Sequence, residues 1–218
     1  MTRSKGKPKY IGSCGIYVFA MGPDDDESAG MRLLVHRRSK QVSEAHTIAS
    51  PGGIVERRLC LPPDSWGGGD IDFDQGARAT AVQELLEETG IELDEVTVSN
   101  LLELPVGEGA YWGAQMHRNY CVQFDEYPPV RGPEKASLHE VQRGGMDGIG
   151  DPAGDGFHAW VDVRELLRRG DLMRGCREPL LHFATNILGL QLEDEEASEE
   201  TCSLPARGSV KRALPGSV

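Results

Sequence analysis

Pro51-Gly52-Gly53-Ile54-Val55-Glu56 and, further along, Ala81-Val82-Gln83-Glu84-Leu85-Leu86-Glu87-Glu88-Thr89-Gly90-Ile91 are the runs whose reading decides the fold of this chain. The second predicts a helix. Residues three and four apart share a helix face, so Glu84, Glu87 and Glu88 form one acidic patch, while Val82, Leu85, Leu86 and Thr89 point towards a core. Gly90 suits the position just past the helix end. Each like-charged pair at this spacing costs on the order of 0.2–0.5 kcal/mol. A hard divalent cation among the carboxylates turns that repulsion into attraction. Mg²⁺ suits all-oxygen ligands and keeps waters, so it can hold phosphate oxygens too. A solvated acidic face is the competing reading. Against it stands the Pro-Gly-Gly turn upstream, where backbone can approach a ligand or metal closely.

Together the two runs resemble the Nudix box of the Nudix hydrolase family: a Gly-Gly loop, a glutamate, then a helix reading Arg-Glu-apolar-x-Glu-Glu-x-Gly-apolar. Gly52, Gly53, Glu56, Glu84, Leu85, Glu87, Glu88, Gly90 and Ile91 match it. The resemblance implies a Nudix-type α/β/α sandwich around a mixed β-sheet. It also implies Mg²⁺- or Mn²⁺-dependent hydrolysis of a phosphoanhydride in a nucleoside diphosphate linked to another moiety. Glu84, Glu87 and Glu88 would be the catalytic residues and metal ligands. Gly52 and Gly53 would bind substrate, the Gly53 carbonyl or nearby amides meeting metal or phosphate. Arg38, at the end of a strand and spaced from Pro51 as in nucleotide-sanitising members, would meet phosphate, which a guanidinium grips bidentately. A solvated surface arginine is the alternative.

Three departures stand out. Gln83 replaces the box arginine, and Gln75 replaces the first box glutamate, beside Asp74. A long insertion, Arg57 to Asp74, separates the two halves. Loss of one cationic and one anionic group preserves neutrality, so one loss is expected to accommodate the other if the positions are neighbours. An amide cannot accept a proton at neutral pH, which leaves Glu87, Glu56, Glu134 or Glu140 as candidate general base. Glu134 and Glu140 are also candidates for the additional acid that the family brings to the metals. His46 lies where coenzyme A-cleaving members carry a histidine, but the rest of that signature is missing, and it reads as an ordinary loop residue. An impaired enzyme acting as a nucleotide-binding or regulatory module is the second reading. An unrelated α/β domain is the third.

The remaining chain supports one domain. Its 218 residues suffice for one substantial core, and 39% hydrophobic with 27% charged residues fit a globular protein with polar tails. Tyr10–Ala20, Met31–Arg37, Thr97–Leu104, Asn119–Phe124 and Phe157–Val161 read as strands. Helices are expected from about Ala77 to Thr89 with Asp74 near the cap, over Asp162–Arg169 with Asp162 as cap, and over Glu178–Leu188. A short helix is possible within Pro133–Val141. The insertion, with Pro62-Pro63 and Gly67-Gly68-Gly69, is expected to lack regular structure. Trp66 within it, and Tyr111 and Trp112 in a glycine-rich connection, either dock on the body or face a substrate base. The basic residues 1–9 and the acidic, then Ser/Pro/Gly-rich residues 191–218 read as tails around a domain over 10–190.

A net charge of −12 argues against a general nucleic-acid binder, a capped RNA end excepted. Apolar runs are too short for a membrane span, and the N-terminus carries no secretory signal. Five scattered cysteines without a CxxC pair suggest neither disulfides nor zinc, and reduced thiols in the cytoplasm are the plain expectation. Homodimers are common in the family, though no residue pattern here argues for one.

Overall fold

β-branched and aromatic residues alternate along the first strand, and that alternation builds the centre of the molecule. The computed structural model describes residues 9–22, 30–62, 69–106, 116–135 and 137–191. Along them run β1 (Tyr10–Ala20), β2 (Arg32–Arg37), β3 (Ile48–Ala49), β4 (Gly52–Glu56), a 3₁₀ turn (Arg57–Cys60), α1 (Phe73–Thr89), α2 (Glu95–Ser99), β5 (Leu102–Leu104), β6 (Met116–Phe124), β7 (Asp151–Pro152), β8 (His158–Asp162), α3 (Val163–Arg168) and α4 (Arg177–His182), which continues as a π turn (Phe183–Ile187).

One mixed sheet holds these strands in the order β5-β6-β1-β2-β8-β7, with β3 on β2 and β4 on β1. β1 and β6 are parallel; the other pairs are antiparallel. Successive side chains of a strand point to opposite faces, so β1 feeds two cores. Cys14, Ile16, Val18 and Ala20 pack with Ala77, Ala81 and Leu85 of α1. Tyr17 and Phe19 pack on the other face with Leu166 and Leu167 of α3, Leu180 of α4 and Phe183. Helices thus cover both faces of the sheet, giving the expected α/β/α sandwich.

β1 changes neighbours along its length. Its first half pairs with β4, from Tyr10 to Gly15, and its last residues, Phe19 and Ala20, pair with β2. The Ile16 N–H donates to the Pro51 carbonyl (2.8 Å) where the partners part. Strands that diverge leave a crevice, and this one positions the site.

Several boundaries differ from those read in the sequence. α1 starts at Phe73, and its cap is Asp72, not Asp74; the Asp72 carboxylate accepts from the Gln75 N–H (3.0 Å). Thr97–Leu104 is not one strand. Asp94 caps α2 by accepting from the Thr97 N–H (2.7 Å), and only Leu102–Leu104 joins the sheet. The insertion begins with the regular turn Arg57–Cys60, and the Asp72 N–H donates to the Cys60 carbonyl (2.8 Å), closing its base. The described part of Pro133–Val141 forms successive turns rather than a helix. Asp162 caps α3 as expected, and Gly90 ends α1 in the left-handed region (φ 73°). Trp66, Tyr111, Trp112 and the tails 1–8 and 192–218 lie outside the described residues.

Candidate active site

A cavity of about 780 Å³ opens at the crevice beside β1. Gly15, Ser50, Pro51, Gly52 and Gly53 form one wall, Arg38 and Glu140 another, and Glu84 of α1 closes an edge. The glycines at the turn are steric requirements. A Cβ at Gly52 would overlap the Cys14 carbonyl, and one at Gly53 would overlap the Glu84 carboxylate.

The acidic residues of α1 do not form a solvated face. Glu88 continues the buried stripe of Ala77, Ala81 and Leu85; it is 1% exposed. Its carboxylate accepts the Gly52 N–H (3.2 Å). Burial pushes Glu88 well above the usual carboxylate range, with Glu84 and Glu140 adding repulsion and the Gly52 N–H and Arg38 opposing it. Burial likewise raises Glu84 to about 7, followed by the charges of Glu140 and Glu87. Glu87 is half-buried and accepts a hydrogen bond from Gln83 Nε2 (2.6 Å).

Glu140 is placed beside these residues by a pairing that local sequence does not announce. Arg38 bridges Val141, and the Ser39 N–H donates to the Glu140 carbonyl (2.8 Å). Glu134 is elsewhere. Its backbone N–H donates to the Glu87 carbonyl (2.7 Å), but its carboxylate faces Arg131 (3.6 Å). Glu56 lines the cavity, yet Arg58 (2.5 Å) and Lys9 (3.3 Å) hold its carboxylate. Arg38 also lines the cavity, its Nε donating to the Ser43 carbonyl (2.9 Å). His46 is apart from the cavity wall and meets Gln142 (3.1 Å), in keeping with an ordinary loop residue.

Gln75 and Gln83 are not neighbours. Eight positions along a helix separate them by roughly 12 Å, and their backbone and side chain serve different partners, Asp72 and Glu87. The expectation that one substitution accommodates the other therefore loses its basis. Gln83 instead orients Glu87.

Sequence reasoning missed three polar residues on the cavity floor, Ser13, His117 and Asn119. Their signal was partial: Ser13 is a lone aliphatic hydroxyl in the otherwise largely apolar first half of β1, and His117 and Asn119, two positions apart, share one face of β6.

Among the described residues no three His, Cys, Asp or Glu side chains converge in metal-holding geometry. Glu87 is turned to Gln83 and Glu88 to Gly52. The donor set nonetheless fits a hard divalent cation: oxygen ligands only, with Glu88 buried and Glu84 partly so, both raised first by burial and then by neighbouring carboxylates, a condition that a cation relieves.

No family model matches this chain, and no curated protein matches its sequence. Solved structures do. The Nudix domain of Shewanella oneidensis NrtR, determined with ADP-ribose, aligns at a TM-score of 0.50 and 12% identity, covering 86% of this chain and 94% of that one. T. brucei MERS1, determined with RNA, aligns at a TM-score of 0.53 and 16% identity, covering 84% of this chain and 64% of that one. The molecule is thus an α/β/α protein with an acidic helix set against a sheet crevice. Its fold is the Nudix fold.

Proposed function

We propose that this chain is a divalent-cation-dependent pyrophosphohydrolase that cleaves a phosphoanhydride in a nucleoside diphosphate linked to another moiety. The observation carrying this reading is that Glu84 and Glu140 line the cavity with Gly52, Gly53 and Arg38, while Glu88, buried behind the Gly52 N–H, lies close enough to both carboxylates to feel their charge. ADP-ribose on the NrtR Nudix domain supports the ligand class.

Glu84, Glu87 and Glu88 would hold Mg²⁺ or Mn²⁺, with the Gly53 carbonyl adjoining. Such an ion neutralises phosphate charge and acidifies the attacking water. Arg38 offers its guanidinium to phosphate oxygens. Gly52 and Gly53, lacking side chains, let the phosphates lie against backbone. Glu140 is the general base on this reading: it lines the cavity beside Glu84 and Glu88, with the His139 ring 3.3 Å from its carboxylate, whereas Arg58 and Lys9 hold Glu56 and Glu134 faces Arg131. A cytoplasmic setting is part of the proposal: the four described cysteines, Cys14, Cys60, Cys121 and Cys176, are free and buried. No helix among the described residues is long and apolar enough to cross a membrane.

A nucleotide-binding or regulatory module is the second reading. The absent box charges at Gln75 and Gln83 favour it. One experiment separates the two. The protein is incubated with Mg²⁺ or Mn²⁺ and nucleotide sugars, dinucleoside polyphosphates, ADP-ribose, coenzyme A, oxidised nucleotides and capped RNA, and the phosphate products are measured. Cleavage abolished by chelator supports the hydrolase. Tight binding with no cleavage supports the module.

A further inference from the structure

The floor of the cavity carries a hydrogen-bonded chain that the phosphate chemistry does not use. Ser13 Oγ lies 2.7 Å from His117 Nδ1, His117 Nε2 lies 2.9 Å from Asn119 Oδ1, and Asn119 Nδ2 donates to the Pro105 carbonyl (3.0 Å). The parallel register of β1 and β6 sets Ser13 opposite His117 and Gly15 opposite Asn119. Gly15 makes room, since a Cβ there would stand 2.9 Å from Asn119 Oδ1.

The end of this chain fixes its direction. A backbone carbonyl only accepts, so the Asn119 atom facing Pro105 is the amide nitrogen, and the atom facing His117 is the oxygen. That oxygen accepts from His117 Nε2–H. His117 is 8% exposed, and burial holds its ring below the ordinary histidine range, hence neutral. A neutral ring with Nε2–H has a bare Nδ1, and the Ser13 hydroxyl proton points at it. The lone pairs of Ser13 Oγ are what remains for a ligand.

We propose that Ser13, polarised by His117 and Asn119, is the specificity residue of the cavity and accepts a hydrogen bond from an N–H or O–H donor on the group attached to the substrate's phosphates. His117 and Asn119 are positioning residues. The inference rests on the nucleotide reading above. It narrows that reading to ligands whose base or sugar presents a donor, because an acceptor that a bound ligand covers and leaves unpaired penalises an analogue lacking one.

Nucleoside monophosphates test it, since they hold no anhydride to cleave and can be titrated with Mg²⁺ present. Calorimetry compares AMP with purine riboside monophosphate, GMP with IMP and CMP with UMP, which remove or replace the amino donor. The 2′-deoxy forms remove the sugar donor. The wild type is expected to prefer the donor-bearing member of at least one pair by about tenfold, the size of one good hydrogen bond. Ser13→Ala should weaken only that member and remove the preference, while Ser13→Thr keeps it. The ¹⁵N shifts of the His117 ring should report the Nε2–H tautomer in the wild type and change little in Ser13→Thr. A preference that survives Ser13→Ala, equal weakening of both members, no preference in any pair, or an Nδ1–H tautomer overturns this inference alone. A wild type that binds none of these nucleotides overturns it together with the nucleotide reading.

Discussion

Glu88 combines burial with two acidic neighbours, against which a single backbone N–H works, and its ionised form is costly. A carboxyl whose folded-state pKa lies above its unfolded value keeps its proton in the fold after the unfolded chain has lost it. Stability then falls as pH rises from the unfolded value through the folded one. For Glu84 that window runs from 4.5 to about 7, and Glu88, raised by burial as well, acts in the same direction. With chelator present, melting temperature should therefore drop between pH 5 and pH 8. Mn²⁺ should restore it at pH 8 and do little at pH 5, where protonated carboxyls bind metal poorly. Glu88→Gln should raise the chelated melting temperature at pH 8 and remove the response to Mn²⁺; a response that persists in this variant would remove Glu88 from the ligand set. On turnover, Glu87→Gln, Glu88→Gln and Glu140→Gln should each cost at least about 10²-fold, the lower range for losing a charge-stabilising or acid–base group, measured as product released under saturating metal. The spacing of Glu84, Glu87 and Glu88 was legible in the sequence. The burial of Glu88 was not, because a charged residue reads as a wet face even where the stripe of Ala77, Ala81 and Leu85 runs into it. Glu140 was legible only as one of two candidates, since a pairing with Arg38 and Ser39, distant in sequence, sets its place.

At the scale of elements, short-range patterns served well where one periodicity ruled. β1 spans Tyr10–Ala20 as read, because its apolar residues feed cores on both faces. α2 escaped because Val96 and Val98 imitate a strand. Asp94 offers a cap there, and Val96, 68% exposed, has no core to fill. The start of α1 moved for a packing reason. Phe73 is buried against Gly12, which draws the first turn back to Asp72. Asp72→Ala should cost about 1 kcal/mol, as loss of an N-cap does, read from the denaturant midpoint. Asp74→Ala should cost less. Gly76 marks the joint between α1 and the base of the insertion, where a Cβ would overlap Cys60 Sγ. Gly76→Val should cost about 1–3 kcal/mol by overpacking this contact, whereas Cys60→Ser, which keeps the volume, should not reproduce the overlap. A Gly76→Val midpoint equal to the wild type would remove the joint from the account.

Over the whole molecule, the core on the α3/α4 side is closed by residues that follow the last turn, Phe183–Ile187. Leu188 and Leu190 pack against the α3/α4 core. We propose that residues 10–190 are the folding unit. A chain stopped after Gln191 should melt within about 2 °C of the full protein, under about 1 kcal/mol for this size. A chain stopped before Leu188 exposes that core and should melt lower.

The floor of the cavity is a seam between strands remote in the chain: Ser13 and His117, its hydrogen-bonded pair, are separated by 104 positions. Closing so long a loop delays the parallel pairing relative to local helices and turns. Ligand recognition should consequently be the last property acquired during refolding. A fluorescent nucleotide added to a refolding reaction should report binding only after far-ultraviolet ellipticity has recovered most of its signal, and during synthesis the growing polypeptide should remain blind to nucleotide until β6 has left the ribosome.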